Sequence, residues 1–167
     1  SALLLQNEAD FLVHDSFTAD TEDNEDHTFS GIMFDIACHE NRKRPTAAVV
    51  IDAIHVRGGL GRMGVWITED GYEGKQLDGS RWTQLYKGTL ESSWGSLKKI
   101  SLSPPIVLIP NQKVGVYVHS SENNDEGIVY DNQRSDKTHA DAYITVLPGM
   151  AHLACDPFSD DGPWWGS

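Results

Sequence analysis

What most constrains this chain is a recurrence of short strand-like runs, one about every ten residues, with turn residues between them and no long amphipathic helical pattern. The clearest lies within 64–82. Val65-Trp66-Ile67-Thr68 leads into Asp70-Gly71, Tyr72 follows, a second turn signal stands at Asp78-Gly79, and Trp82 closes the segment. β-Branched and aromatic side chains suit a pleated, half-buried surface, and Asp-Gly pairs supply the backbone conformations that tight turns demand.

The other runs repeat the pattern. Ile32, Phe34 and Ile36 alternate with Met33, Asp35 and Ala37, so one face of that run is expected to be buried. Residues 49–56 are rich in β-branched side chains, and Val114, Val116 and Val118 point to one side. Weaker runs occupy 82–86 and 97–102. Residues 106–109, between Pro104-Pro105 and Pro110, read as a separate short strand. Residues 128–130 and 142–147 complete the set. Turns are expected at Gly58-Gly59, Asn111, Asn123-Asn124 and Pro148-Gly149. A parallel sheet needs crossovers of a dozen residues or more, usually helical, and these connections are too short or too polar. The expected fold is therefore all-β: an antiparallel β-sandwich or jelly roll of about eight to ten short strands with little helix.

Three parts are expected along the chain. Residues 1–27 form an acidic N-terminal segment or linker, 28–155 the sandwich, and 156–167 a Trp-rich tail. In the first, Leu4, Leu5, Glu8, Phe11 and Leu12 have helical spacing, although Phe11-Leu12-Val13 also suits a strand. Asp15, Asp20, Glu22, Asp23, Glu25 and Asp26 follow with no basic residue among them, as in a solvated segment. A chain of 167 residues buries roughly 70% of its unfolded surface and needs neither metal nor disulfide to fold. Cys38 and Cys155 form no C-x-x-C pair, which excludes a zinc ribbon; two buried thiols are expected, with a disulfide between them the alternative.

A net charge of −12 repels phosphate backbones and anionic lipid surfaces, so neither nucleic acid nor a membrane is expected as partner. Arg42-Lys43-Arg44 is too short a basic run to reverse this. No apolar run approaches the ~20 residues that span a bilayer. The chain begins at Ser1 rather than Met, so localisation is not read from its N-terminus; the reading leans to an extracellular or cell-surface setting.

One ordered set of motifs carries a resemblance. Gly31-Ile32-Met33-Phe34-Asp35-Ile36, Val65-Trp66-Ile67-Thr68 with Gly71-Tyr72-Glu73-Gly74, Trp82, and Pro110-Asn111-Gln112 with Gly115-Val116-Tyr117-Val118 occur in that order. The set resembles a β-sandwich domain of uncharacterised, often multi-copy proteins of microalgae and other protists, over roughly 28–165. The resemblance implies an all-β fold and an accessory or recognition role, with no catalytic residues to carry over. Residues 40–48 are longer and more basic than that pattern. These 167 residues hold one copy, so avidity from tandem copies is not expected within them.

Chemical motifs are sparse. Gly59-Leu60-Gly61-Arg62-Met63-Gly64 matches the dinucleotide fingerprint, but a strand rather than a helix follows it, so it reads as a hairpin loop with Arg57 and Arg62 as weak anion binders. Among the seven histidines, no H-x-x-x-H or H-E-x-x-H pair occurs, and His55 and His119 are the pair that cross-strand proximity could unite. There is no G-x-S-x-G elbow. Calcium is the one candidate cofactor, at Asp70, Glu73 and Asp78 or at Asn123, Asn124, Asp125 and Glu126, with plain turn chemistry the simpler account of both sets. The candidate ligand-binding residues are the aromatics Tyr72, Trp94, Trp164 and Trp165, whereas Trp66 and Trp82 are expected inside. Adjacent side chains of extended backbone diverge, so one of Trp164 and Trp165 should pack inward while the other is exposed.

These features point to a non-catalytic recognition or interaction module that binds a protein or glycan through sandwich loops and exposed aromatics. The alternatives are an architectural subunit held in a larger assembly by its tails, and a hydrolase with a loop-borne site.

Overall fold

A computed structural model describes residues 16–40, 43, 48–122, 125–132 and 135–166. The helix-spaced run at 4–12, the Asn123-Asn124 turn and calcium candidates, and most of the 42–45 basic run lie outside the described residues. Eleven strands follow in order: β1 His27–Phe29, β2 Gly31–Cys38, β3 Val49–Gly58, β4 Gly61–Glu69, β5 Thr83–Leu90, β6 Ser93–Leu108, β7 Lys113–Ser120, β8 Ile128–Tyr130, β9 His139–Ala140, β10 Ile144–His152 and β11 Trp164–Gly166. The described residues contain no α-helix, only a 3-10 turn at Gly79–Arg81. The all-β expectation holds, with a slightly higher strand number because β1, β9 and β11 are too short to show alternation.

All pairing is antiparallel. The main sheet runs β11-β10-β2-β7-β4-β5, with β9 also on β10. A second layer consists of two separate ladders, β3-β6 and β1-β8. Period-two alternation sorts the main sheet's side chains onto two faces. Ile36 and Cys38 of β2, Val114, Val116 and Val118 of β7, Met63 and Val65 of β4 and Ile144 and Val146 of β10 form an aliphatic core with Val49 and Val56 of β3 and Ile100, Leu102, Ile106 and Leu108 of β6.

The opposite face is buried too. Met33, Tyr117 and Trp82 are buried there, with Trp66, Tyr72, Phe158 and Trp164 packed against them. The connections 70–82 and 153–163 close over this face. Phe158, at a φ of 61°, places its ring 4.9 Å from Tyr117, 5.3 Å from Trp66 and 5.6 Å from Trp82. Edge-on and tilted contacts of this kind suit the ring quadrupoles.

Three turn or loop expectations are corrected. β6 runs unbroken through Pro104-Pro105, and its ladder with β3 absorbs the irregularity as a register shift between Ile51 and Ala53. Pro148-Gly149 is not a turn but a bulge inside β10. A side chain at 149 would strike the Met33 carbonyl, so only glycine permits that approach. The fingerprint-like loop shrinks to residues 59–60, because Gly58 ends β3 and Gly61 to Gly64 already belong to β4. Leu60 turns the chain at a φ of 52°, and the Ser120 hydroxyl donates to its carbonyl.

The acidic segment does not hang free where it is described. Arg57 donates to both carboxylate oxygens of Asp23 and to Asp26. The amides of Asn24 and Glu25 donate to Asp131, and that of Asn132 to Glu25. His139 Nδ1 meets the Asp20 carbonyl at 3.0 Å, and Phe17 stacks on Tyr143 with ring centroids 5.0 Å apart. Residues 16–26, most of them exposed, are thus held as a strap along the domain.

Candidate functional site

Placed in the fold, the candidate residues separate. Tyr72 is half-buried in the aromatic cluster, and its amide donates to Asp35 at 2.9 Å. Burial pushes the Asp35 carboxyl above the usual range, against the pull of the Tyr72 amide and of Lys113, whose ammonium lies 3.8 Å away. Burial, then the Asp35 charge, raises the Tyr72 phenol in turn. This arrangement anchors the 70–75 turn to the sheet and packs the half-buried Tyr72 against the aromatic cluster. Asp70, Glu73 and Asp78 are exposed and do not converge; among the described residues no three His, Cys, Asp or Glu side chains are grouped to hold a metal. Asp78 instead caps the 3-10 turn, accepting from the Ser80 amide and hydroxyl.

Trp164 and Trp165 diverge as extended backbone requires. Trp164 stacks on His152, centroids 3.8 Å apart and planes 3° from parallel, while Trp165 is 57% exposed. Trp94 is 46% exposed on β6, and its carbonyl accepts from Arg57. His55 and His119 do not meet: His55 is on β3, and His119 is buried on the face of β7 turned away from β3. Cys38 is buried as expected, whereas Cys155 is exposed, and no disulfide joins them.

The buried histidines hold the tail. His119 Nε2 donates to the Ala154 carbonyl at 2.9 Å, and His152 Nε2 to the Asp161 carbonyl at 3.0 Å. A carbonyl only accepts, so each Nε2 carries the proton and each Nδ1 is an acceptor. His152 Nδ1 faces the Tyr117 hydroxyl at 3.3 Å, and His119 Nδ1 the Ser121 hydroxyl at 3.4 Å. Burial drives His119 down to about 4, with His152 adding to the effect and the Ala154 bond and Asp156 opposing it. Burial likewise lowers His152 and raises Tyr117. With both lowered by burial, both rings are neutral at pH 7. No run or spacing in the sequence marks these residues as partners; they meet because β7 and β10 flank β2.

A wide concavity lies elsewhere, on the aliphatic side. A cleft of about 1370 Å³ lies between β3, the β2 and β10 part of the main sheet, and β8. Ile32, Phe34 and Ile36 of β2 with Ile144 and Val146 of β10 line its floor, and the strap 16–23 crosses it. Every residue from Ala48 to Arg57 lines it. Consecutive residues, rather than alternate ones, line it, so the cleft runs along the edge of β3. Arg57, a weak anion binder by sequence, serves the strap: the hydrogen bonds it donates to Asp23 and Asp26 raise its already high pKa further.

No protein-family model and no curated protein matches the chain.

Proposed function

We propose that this protein is a non-catalytic recognition module that binds a protein partner in the cleft beside β3. The observation that carries this reading is the cleft itself, about 1370 Å³ with an apolar floor and a charged rim, which is the composition of a binding site rather than of bare surface. A protein is favoured over a glycan because two of the four candidate stacking aromatics, Tyr72 and Trp164, are committed to the aromatic cluster. The resemblance to the protist sandwich domain implies the same kind of role.

The test uses an environment-sensitive apolar dye, 1-anilinonaphthalene-8-sulfonate, with native protein at neutral pH, alongside a glycan array with and without calcium. Saturable dye binding that survives replacement of Trp94 and Trp165 by Ala, with a blank array, is expected. Glycan binding lost in that double variant would move the site to the exposed aromatics and refute the cleft.

A second reading has one observation behind it. Val50 and Val107 lie opposite each other on the outer face of β3-β6 at 45% and 56% exposure, with Ile109 close by in the chain at 52%. This apolar row favours an architectural subunit seated on a larger assembly through that face.

A further inference from the structure

We infer that the cleft receives an extended basic polypeptide segment as an added strand on the free edge of β3; this rests on the cleft being the recognition site. The second layer is a sheet with a gap. Among the described residues β3 pairs only with β6, and β8 only with β1. The two ladders meet at one end, where the amides of Gly59 and Leu60 donate to the carbonyls of Glu126 and Gly127 at 2.8 and 2.9 Å. Beyond that point they part, and the cleft occupies the space between them.

Along the ten residues of β3, every second amide and carbonyl points away from β6. An edge of that length beside an apolar groove is the geometry that strand addition uses: main-chain bonds supply affinity, and alternate side chains enter the groove. Strap residues 16–23 pass through the space without forming a ladder. Their bonds and ring contacts run from Phe17 to Tyr143, from the Asp20 carbonyl to His139 and from Asp23 to Arg57, none of them to the main chain of β3.

The charge of the rim selects the occupant. Five carboxylates and three Lys or Arg side chains are found among the described lining residues. Arg57 is already shared by Asp23 and Asp26. Of the remaining lining charges, Asp131 already accepts from the Asn24 and Glu25 amides, which leaves Lys99 and Lys137 with Asp20, Glu22 and Asp52. With a chain charge of −12, this favours a segment carrying Lys or Arg on its outward positions and apolar residues on its inward ones.

The test is calorimetric titration of the full chain with three peptides of about ten residues, the length of β3. One alternates Val and Lys, one alternates Val and Glu, and one is the Val-Lys peptide N-methylated along one edge. The Val-Lys peptide is expected to bind at least tenfold tighter than either of the others. It should also slow hydrogen exchange of alternate β3 amides by at least tenfold. Equal binding of the methylated peptide would overturn strand addition, and equal binding of the Val-Glu peptide would overturn the basic occupant. A concentration-dependent dimer by light scattering that excludes the peptide would assign the edge to a second copy and overturn the proposal. Uptake of the apolar dye without any peptide binding overturns strand addition alone; uptake of neither overturns the cleft reading as well.

Discussion

Acid should unfasten the tail before it affects the carboxylates, and His119 should account for most of the effect. Its folded pKa, about 4, lies below its ordinary value of 6.5. The unfolded chain therefore binds this proton more readily, and stability falls as pH drops. The contribution is fully present above about pH 6.5 and is lost as pH falls through about 4. The whole span is worth about 3 kcal/mol, and about 2 kcal/mol is gone near pH 5. His152, lowered by burial as well, adds in the same direction. Asp23, Asp78 and Asp141 are held below the carboxylate range, so their losses come at lower pH. Asp35, raised by burial, works the opposite way and gains stability as it protonates in the fold.

The assay is urea unfolding followed by tryptophan fluorescence at about pH 7.5 and about pH 5, for the native chain and for His119→Gln. Glutamine keeps a donor for the Ala154 carbonyl but cannot titrate. The variant should be less stable at the higher pH and lose about 2 kcal/mol less than the native chain between the two. Equal losses in both proteins would refute the argument. If the variant does not fold, the imidazole signal of His119 in the native chain decides: an NMR titration midpoint above about pH 6 contradicts burial as the dominant cause.

Three further outcomes follow from the packing. Phe158→Ala removes the ring that Trp66, Trp82 and Tyr117 share; because that ring is only partly buried, urea melts should show a loss of about 2–3 kcal/mol, with tryptophan emission shifted to the red. Gly162→Ala places a side chain against the Leu153 carbonyl at a φ of 77°. It should cost more than about 1 kcal/mol in the same melts and speed exchange of the Leu153 amide, which bonds the Pro163 carbonyl. Arg57→Ala releases the exposed carboxylates of Asp23 and Asp26, so global stability should move by only about 1 kcal/mol while limited proteolysis within 16–26 accelerates.

Where a strand has one face in the aliphatic core, its alternation was legible. Ile32, Phe34 and Ile36 and Val114, Val116 and Val118 mark β2 and β7 in the sequence, and both runs line that core. What alternation does not carry is the fate of the other face. Met33 and Asp35 occupy positions that would serve equally well beside water, yet both are buried. Their cover comes from 70–82 and 153–163, which have no period to read, and its position depends on Phe158 and on two histidine bonds that span 35 and 9 residues. The same reasoning explains Tyr72 and Trp164. An aromatic residue in a turn or tail looks available until the surface it returns to is known, whereas the opposed directions of Trp164 and Trp165 are a local property of extended backbone. The cleft was least legible of all. It arises because β3 and β8 part beyond Gly59 and Leu60, and a missing ladder is a relation between strands that no single run of residues encodes. A site made by non-pairing is also one that a correctly chosen strand can fill, so the peptide titration examines a feature of the fold that only its topology reveals.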